Sequence, residues 1–317
     1  MTGIGISYLD YYVPGEELYI DDFLAGIDET SMPPNFKNKA AYEKFIGSVL
    51  ELKSIRIETR QTEPEMVGGL LKKMFSQYHI EPADIDLVIL AQEPALSRMR
   101  NLAQFVRYSY KMNRAYVMHL AGNLCTNIEV ALDTACSLMD SRQDLNNILI
   151  IGALKVEKPD NRIIGTYGIY GDGAGIMLVS RRDSKIKLLD SKILCDGSFY
   201  KIDLNSDYTT IHSQNYLASI NELIGRNALE DEMIEKIIVQ NANPLLVSQC
   251  IALAGFDNNK IFSENFGKYG HLDCLDFLVN LKDATRDASN PGEKLILSVG
   301  IGWAGTYVTS LLSYENK

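Results

Sequence analysis

The stretch Met118-His119-Leu120-Ala121-Gly122-Asn123-Leu124-Cys125-Thr126-Asn127-Ile128-Glu129-Val130-Ala131-Leu132 changes its character midway. Up to His119 it completes an apolar run of strand length that begins at Ala115. After a turn containing Gly122, a helical pattern runs to about residue 141. The first turn of that helix holds Cys125, where unpaired N–H groups and the positive dipole end favour the thiolate, the reactive form. The position suits a nucleophile, against the ordinary fate of a free cysteine as a small buried hydrophobe.

Outward from this unit the same alternation continues. Strand-length apolar runs lie at 86–91, 115–119, 147–152, 175–180, 236–240 and 294–299, and helical patterns at about 64–79, 100–112, 125–141, 214–226, 243–255 and 273–284. That order predicts an α/β protein whose sheets are covered by helices. The halves also resemble each other. Asp84-Ile85-Asp86-Leu87-Val88-Ile89 has a counterpart in Glu235-Lys236-Ile237-Ile238-Val239-Gln240, and each half closes on a strand, a glycine-rich turn and a second strand, at 148–179 and 295–312. We expect a duplicated unit, 1–182 carrying the cysteine and 183–317 its partner, facing each other with helices buried between their sheets. No Pro/Ser-rich linker separates them, so one intertwined body is expected.

The chain has 317 residues with 31 basic and 41 acidic side chains, a net charge of −10. Without clustered Lys and Arg, nucleic-acid binding is not expected. The 46% apolar composition excludes disorder as the main state. No apolar run reaches the ~18 residues of a membrane span, and Met1-Thr2-Gly3-Ile4-Gly5 begins no leader pattern, so a cytosolic protein without membrane contact is expected. Cys125, Cys136, Cys195, Cys250 and Cys274 form no CxxC pair, which predicts neither a disulfide framework nor a metal site.

Further motifs give these residues a family. Ala131-Leu132 follow Cys125 at six and seven residues; Tyr170-Gly171-Asp172-Gly173-Ala174-Gly175 forms a long glycine turn; Val239-Gln240-Asn241-Ala242-Asn243 ends a strand; Ser298-Val299-Gly300-Ile301-Gly302-Trp303 forms a C-terminal glycine loop. With Ile55-Arg56 near the start, the chain resembles the β-ketoacyl-ACP synthase III group of the thiolase fold over essentially its whole length. The resemblance implies a five-layer αβαβα arrangement and Cys125 as the catalytic nucleophile. The usual site of that group is Cys-His-Asn, and two of the three positions differ here. Gln240 stands at the histidine of the His-Gln-Ala-Asn run, and Gln cannot exchange a proton near neutral pH. The asparagine position falls in Lys268-Tyr269-Gly270-His271-Leu272-Asp273-Cys274-Leu275-Asp276, where His271 replaces it.

An imidazole at His271 can take the Cys125 proton and return it later. A carboxylate on its far nitrogen would fix the tautomer, with Asp276 preferred over Asp273. Resemblance to starter-unit acyltransferases related to synthase III implies the same nucleophile-His-Asp order with the acid five residues on, and relatives that acylate small amine-bearing acceptors through a Cys-His pair are a second likeness. The bland alternative makes His271 a helix N-cap neighbour. His119 reads as a core histidine, His212 as the opening of a helix, and His79 as a helix end. Backbone N–H groups of Cys125 and Ile301 are candidates for an oxyanion hole, with Gly300 and Gly302 permitting close approach. Arg56, Gln240 and Asn243 are candidate substrate-binding residues. The Gly-Asp-Gly-Ala-Gly turn lacks the Walker lysine and the dinucleotide spacing, so no nucleotide cofactor is expected.

The resemblance implies that the acyl group arrives as a phosphopantetheine thioester of coenzyme A or acyl carrier protein, with no bound cofactor. The only tryptophan, Trp303, is not near Ile55-Arg56, which modestly favours the carrier protein. Arg98, Arg100 and Arg107 are candidates for a basic mouth that would receive it. A homodimer through strand 115–119, or a heterodimer with a paralogue, is expected. The leading reading is an acyltransferase in a specialised biosynthetic pathway. Decarboxylative Claisen condensation with only His271 assisting, and a catalytically silent subunit, are the alternatives.

Overall fold

The computed structural model describes residues 3–93, 101–200, 209–286 and 292–316. Its strands are β1 (Gly5–Tyr12), β2 (Glu17–Tyr19), β3 (Ser54–Arg56), β4 (Leu87–Ala91), β5 (Tyr116–Leu120), β6 (Asn147–Leu154), β7 (Ile163–Ile164), β8 (Gly168–Ile169), β9 (Gly173–Ser180), β10 (Ile186–Cys195), β11 (Ile234–Val239), β12 (Gly292–Gly302) and β13 (Thr306–Asn316). The helices are α1 (Ile20–Ala25), α2 (Lys39–Ser48), α3 (Glu63–Gln77), α4 (Leu102–Ser109), α5 (Asn127–Ser141), α6 (Thr209–Asn227), α7 (Pro244–Leu253) and α8 (Leu275–Ala284).

Sheet order is β11-β12-β13-β10-β1-β9-β6-β4-β5, with the strands of the two halves meeting where β1 pairs with β10 at Ile6 and Ile186. β4 runs parallel to β5 and β6, and β11 parallel to β12, whereas β9 and β13 return antiparallel. The inner strands β4 and β9 are buried along their whole length, as continuous apolar runs covered on both faces require.

Three apolar clusters give the layers. Ile128, Leu132 and Met139 of α5, with Leu275, Leu278 and Leu281 of α8, pack against Ile89 and Ile150 on one side and Ile238 and Ile296 on the other. Met66 and Leu71 of α3 and Val106 of α4 cover the outer face of the first half. Tyr216 and Leu223 of α6 and Val247 and Ile251 of α7 cover the outer face of the second. The arrangement is thus helix, sheet, helix, sheet, helix, with α5 and α8 innermost. We propose 1–182 and 183–317 as the two repeats, on the correspondence of β1, α3, β4, α4 with β10, α6, β11, α7. The β5 position has only a parallel bridge from Ile237 to Ile261 as its counterpart among the described residues.

Local chemistry fixes the helix starts near the site. Pro244 opens α7 in the position where its missing N–H costs nothing, and the Asn243 side chain accepts from Leu246 N at 3.1 Å. A smaller cluster of α1 and α2, including Phe23, Tyr42 and Ile46, packs on Ile55 and Ile169, next to the strand that leads to Tyr170.

Candidate active site

Cys125 lies at the buried end of a cavity between the halves, but not in the first turn of α5 as expected. It sits in a single 3-10 turn, Leu124–Thr126, that precedes the helix. The turn is held by Glu93, whose Oε1 accepts from Gly122 N at 2.6 Å, Leu124 N at 3.1 Å and Asn127 Nδ2 at 2.9 Å. Gly122 at φ +92° takes the left-handed conformation the turn needs. The expected stabilisation of thiolate is also overturned. Burial, and then the nearby Asp273 carboxylate, push the Cys125 thiol well above its ordinary pKa.

His271 and Asp276 meet this thiol. His271 Nε2 is 3.2 Å from Cys125 Sγ, and Nδ1 is 2.5 Å from Asp276 Oδ2. His271 is fixed by its backbone: its N–H donates to Ile169 O, its carbonyl accepts from Gly171 N, and its ring stacks on Tyr170 with centroids 5.5 Å apart. Gly171 is required there, because a Cβ would lie 2.0 Å from Tyr269 O. The glycine turn therefore supports the imidazole, and its Tyr170 also lines the cavity. Behind it, Arg162 clamps Asp172 through two nitrogens at 2.8 and 2.9 Å, and Asp172 accepts from Glu58 N and Val156 N.

Asp276, fully buried at the start of α8, also accepts from Leu272 N at 2.9 Å, Asn241 N at 2.8 Å and Asn241 Nδ2 at 3.1 Å. These bonds keep its carboxylate aimed at Nδ1. Burial alone would lower the His271 pKa, but Asp276, and then Asp273, act the other way and the net shift is upward. Asp273, buried beside the thiol and the imidazole, is itself raised by burial.

Gln240 takes an unforeseen place. Its Nε2 donates to Cys125 O at 2.8 Å and its Oε1 accepts from Ile301 N at 3.1 Å. The Ile301 N–H considered for an oxyanion is thus engaged by a side-chain carboxamide. Gly302 is needed beside it, since a Cβ would meet Asn123 O at 2.0 Å. Under this loop lies a residue that sequence reasoning missed. Glu129 of α5 is buried against Gly300, accepts from Ser298 Oγ at 3.2 Å, and leaves Oε2 without a partner among the described residues. Burial, with Asp276 adding to it, raises its pKa to about 8.

The cavity, of about 500 Å³, is lined by Cys125, His271, Gln240 and Asn243 together with apolar walls such as Tyr167 and Trp303. Glu93 and Asp160 contribute carboxylates, and no described lining residue is Lys or Arg. Arg56 does not reach it. Its guanidinium pairs with Glu17 at 3.4 Å and donates to Gly15 O and Lys268 O. Arg107 is tied to Ala115 O at 2.6 Å, and Arg98 and Arg100 lie outside the described residues.

The remaining histidines and cysteines also fall into place. His119 is exposed on β5 and bonds Gln92 O at 3.0 Å, so it is no core histidine, because β5 is an edge strand. His212 is fully buried, bonds Tyr307 OH at 2.7 Å, and is lowered by burial to about 4. His79 follows the end of α3. Cys250 and Cys274 are buried, Cys136 half-buried and Cys195 exposed. No helix among the described residues is long and apolar enough to cross a membrane.

Residues 121–197 match the family model of 3-oxoacyl-[acyl-carrier-protein (ACP)] synthase III. The β-ketoacyl-[acyl-carrier-protein] synthase III of Aquifex aeolicus (strain VF5) is 24% identical over 284 residues, covering 86% of this chain and 91% of that protein. A solved structure of 3-oxoacyl-[acyl-carrier-protein] synthase III from Aquifex aeolicus VF5 superposes with a TM-score of 0.80 at 21% identity, over 98% of this chain and 100% of that one. The acyltransferase ChlB3 superposes with a TM-score of 0.81 at 16% identity, over 99% and 98%. The chain is therefore synthase III-like along nearly its whole length and has the thiolase fold of those enzymes.

Proposed function

We propose that this protein is a cytosolic acyltransferase that moves an acyl group from a coenzyme A or carrier-protein thioester through Cys125 to an acceptor. The observation that carries the reading is the line Cys125 Sγ, His271 Nε2, His271 Nδ1, Asp276 Oδ2, with contacts of 3.2 and 2.5 Å. In it His271 takes the thiol proton as Sγ attacks the thioester carbonyl, and returns it to the leaving pantetheine thiol. Deprotonation of an acceptor by the same ring then completes transfer. Asp276 holds the tautomer and stabilises the imidazolium. Since the thiol is not ionised at rest, proton removal accompanies attack.

The incoming carbonyl oxygen competes with Gln240 Oε1 for the Ile301 N–H, with the Cys125 N–H as the second donor. An apolar wall of Tyr167, Trp303, Ile164 and Leu246 suits the acyl chain. Condensation is the second reading. It is weakened by Gln240, whose carboxamide spans Cys125 O and Ile301 N where the family supplies an imidazole. Product analysis separates the two. With acyl thioester plus malonyl thioester, condensation releases carbon dioxide in step with product. Transfer to an added amine or alcohol without such release supports the acyltransferase, and stoichiometric release overturns it. A specialised pathway is part of the proposal, since His271 and Gln240 both depart from the housekeeping site, and a homo- or heterodimer through β5 is part of it because that strand lies at the sheet edge.

A further inference from the structure

A second carboxylate at this site has no role in the proton relay. Asp273 is 3% exposed and holds a left-handed φ of +54°; its carboxylate faces the Cys125 thiol and Cys274, yet its Oδ1 has no partner at hydrogen-bond distance among the described residues. A buried acceptor left unpaired in a strained backbone is costly, and such sites mark a ligand or a function. We propose that Asp273, Cys125 Sγ and His271 Nε2 form a zinc site that holds the nucleophile in an inactive state.

The ligand atoms of these three buried residues all lie within 4.8 Å of one another, and Sγ and Nε2 are 3.2 Å apart. Tetrahedral zinc, with bonds of about 2.0–2.3 Å, places its ligands about 3.3–3.8 Å apart, so closure asks for movements on the order of 1 Å. A thiolate, an imidazole and a carboxylate select zinc over magnesium or calcium, which take oxygen donors. The outer shell is already built. His271 Nδ1 bonds Asp276, and Asp276 is itself fixed by Leu272 N and Asn241. A ligating histidine uses this same arrangement to set its tautomer and ring orientation. Cys125 and His271 both line the cavity, which leaves the fourth position open to water. Binding displaces the thiol proton to solvent and forms the S–Zn, N–Zn and O–Zn bonds, with nothing oxidised or reduced. Zinc here is no cofactor of the transfer. It removes the sulfur from reaction until a chelator withdraws the metal. That consequence rests on the proposed acyl transfer, whereas binding itself does not.

The test is to add zinc, and separately cobalt as its spectroscopic substitute, to the metal-free full chain. Zinc is followed by competition with a chromogenic chelator, and cobalt by its thiolate charge-transfer absorption. The wild type is expected to take one equivalent and to show that absorption. Cys125→Ser should lose it, and Asp273→Asn should bind about 10-fold or more weakly, with Asp273→Glu retaining part of the affinity. Asp276→Asn should weaken binding by about 10–100-fold, the usual cost of losing an outer-shell partner. A wild type without thiolate absorption overturns the site, whatever the variants do. So does a folded Asp273→Asn that binds as tightly as the wild type. In a parallel arm zinc should abolish acyl-adduct formation and a chelator restore it. Failure of the metal-free enzyme to form any adduct contradicts the transfer reading while the binding result stands by itself.

Discussion

Asp276 and His271, five residues apart in sequence, meet at 2.5 Å because the chain between them turns back through Asp273 before α8 begins. The contact raises the imidazole pKa above its ordinary 6.5 against the effect of burial. A base acts only when deprotonated. The rate of thiol acylation should therefore rise with pH through a midpoint above 6.5, as read from stopped-flow or quenched-flow adduct formation. Asp276→Asn removes the leading upward influence, so the midpoint should move down while the plateau falls by about 10²-fold or more. An unchanged midpoint would remove Asp276 from the relay. For stability the sign is opposite. The raised His271 pKa contributes stabilisation that is full below 6.5 and is lost as pH rises through the folded value.

His271 and Gln240 should separate cleanly. His271→Ala is expected to slow acylation by about 10²–10⁴-fold, whereas Gln240→Ala, which deletes two hydrogen bonds but no proton acceptor, should stay within about tenfold. Single-turnover rates with one acyl thioester measure both. Equal losses would place the carboxamide in the chemistry.

Glu129 makes a prediction about stability. Its pKa rises from 4.5 to about 8, so the folded state favours the neutral acid. The stabilisation is complete below 4.5 and is lost as pH rises toward 8, because the unfolded chain ionises first. Glu129→Gln keeps an acceptor for Ser298 and removes the titration. It should match the wild type near pH 4 and exceed it near pH 8 by on the order of 3–5 kcal/mol in denaturant unfolding. Equal differences at both pH values would show that the carboxyl does not titrate in this way.

Glu93 holds the nucleophile turn by three hydrogen bonds. Glu93→Ala should cost about 1–3 kcal/mol of stability and lower kcat more than it raises KM. Glu93→Gln, which retains one carbonyl oxygen for the same N–H groups, should recover most of the loss. A Glu93→Ala enzyme with wild-type kcat would mean that the turn holds itself.

Much of the architecture was legible because period and order carry it. The strand at Leu87–Ala91 and the helices ahead of and behind Cys125 follow directly from apolar spacing. Cys125, His271 and Asp276 were legible from the motif and its departures, and the structure brings those three side chains together. Arg56 does not line the cavity, because its guanidinium is held by Glu17 through the pairing of β2 with β3, which residue type does not reveal. Gln240 was read as an absent base. Its bridge between Cys125 O and Ile301 N depends on three segments meeting, and so do the burial of Glu129 and the unpaired oxygen of Asp273. The high thiol pKa was missed for the same reason: a dipole can be inferred from one helix, but desolvation comes from the whole enclosure.

The most direct measurement of the central claim is the intact mass of the protein after brief incubation with acyl-coenzyme A and, separately, acyl carrier protein. The account predicts one acyl group on the wild type from at least one donor, none on Cys125→Ala, and label mapped to the peptide containing Cys125. An unmodified wild type with both donors, or an adduct that persists in Cys125→Ala, would contradict it.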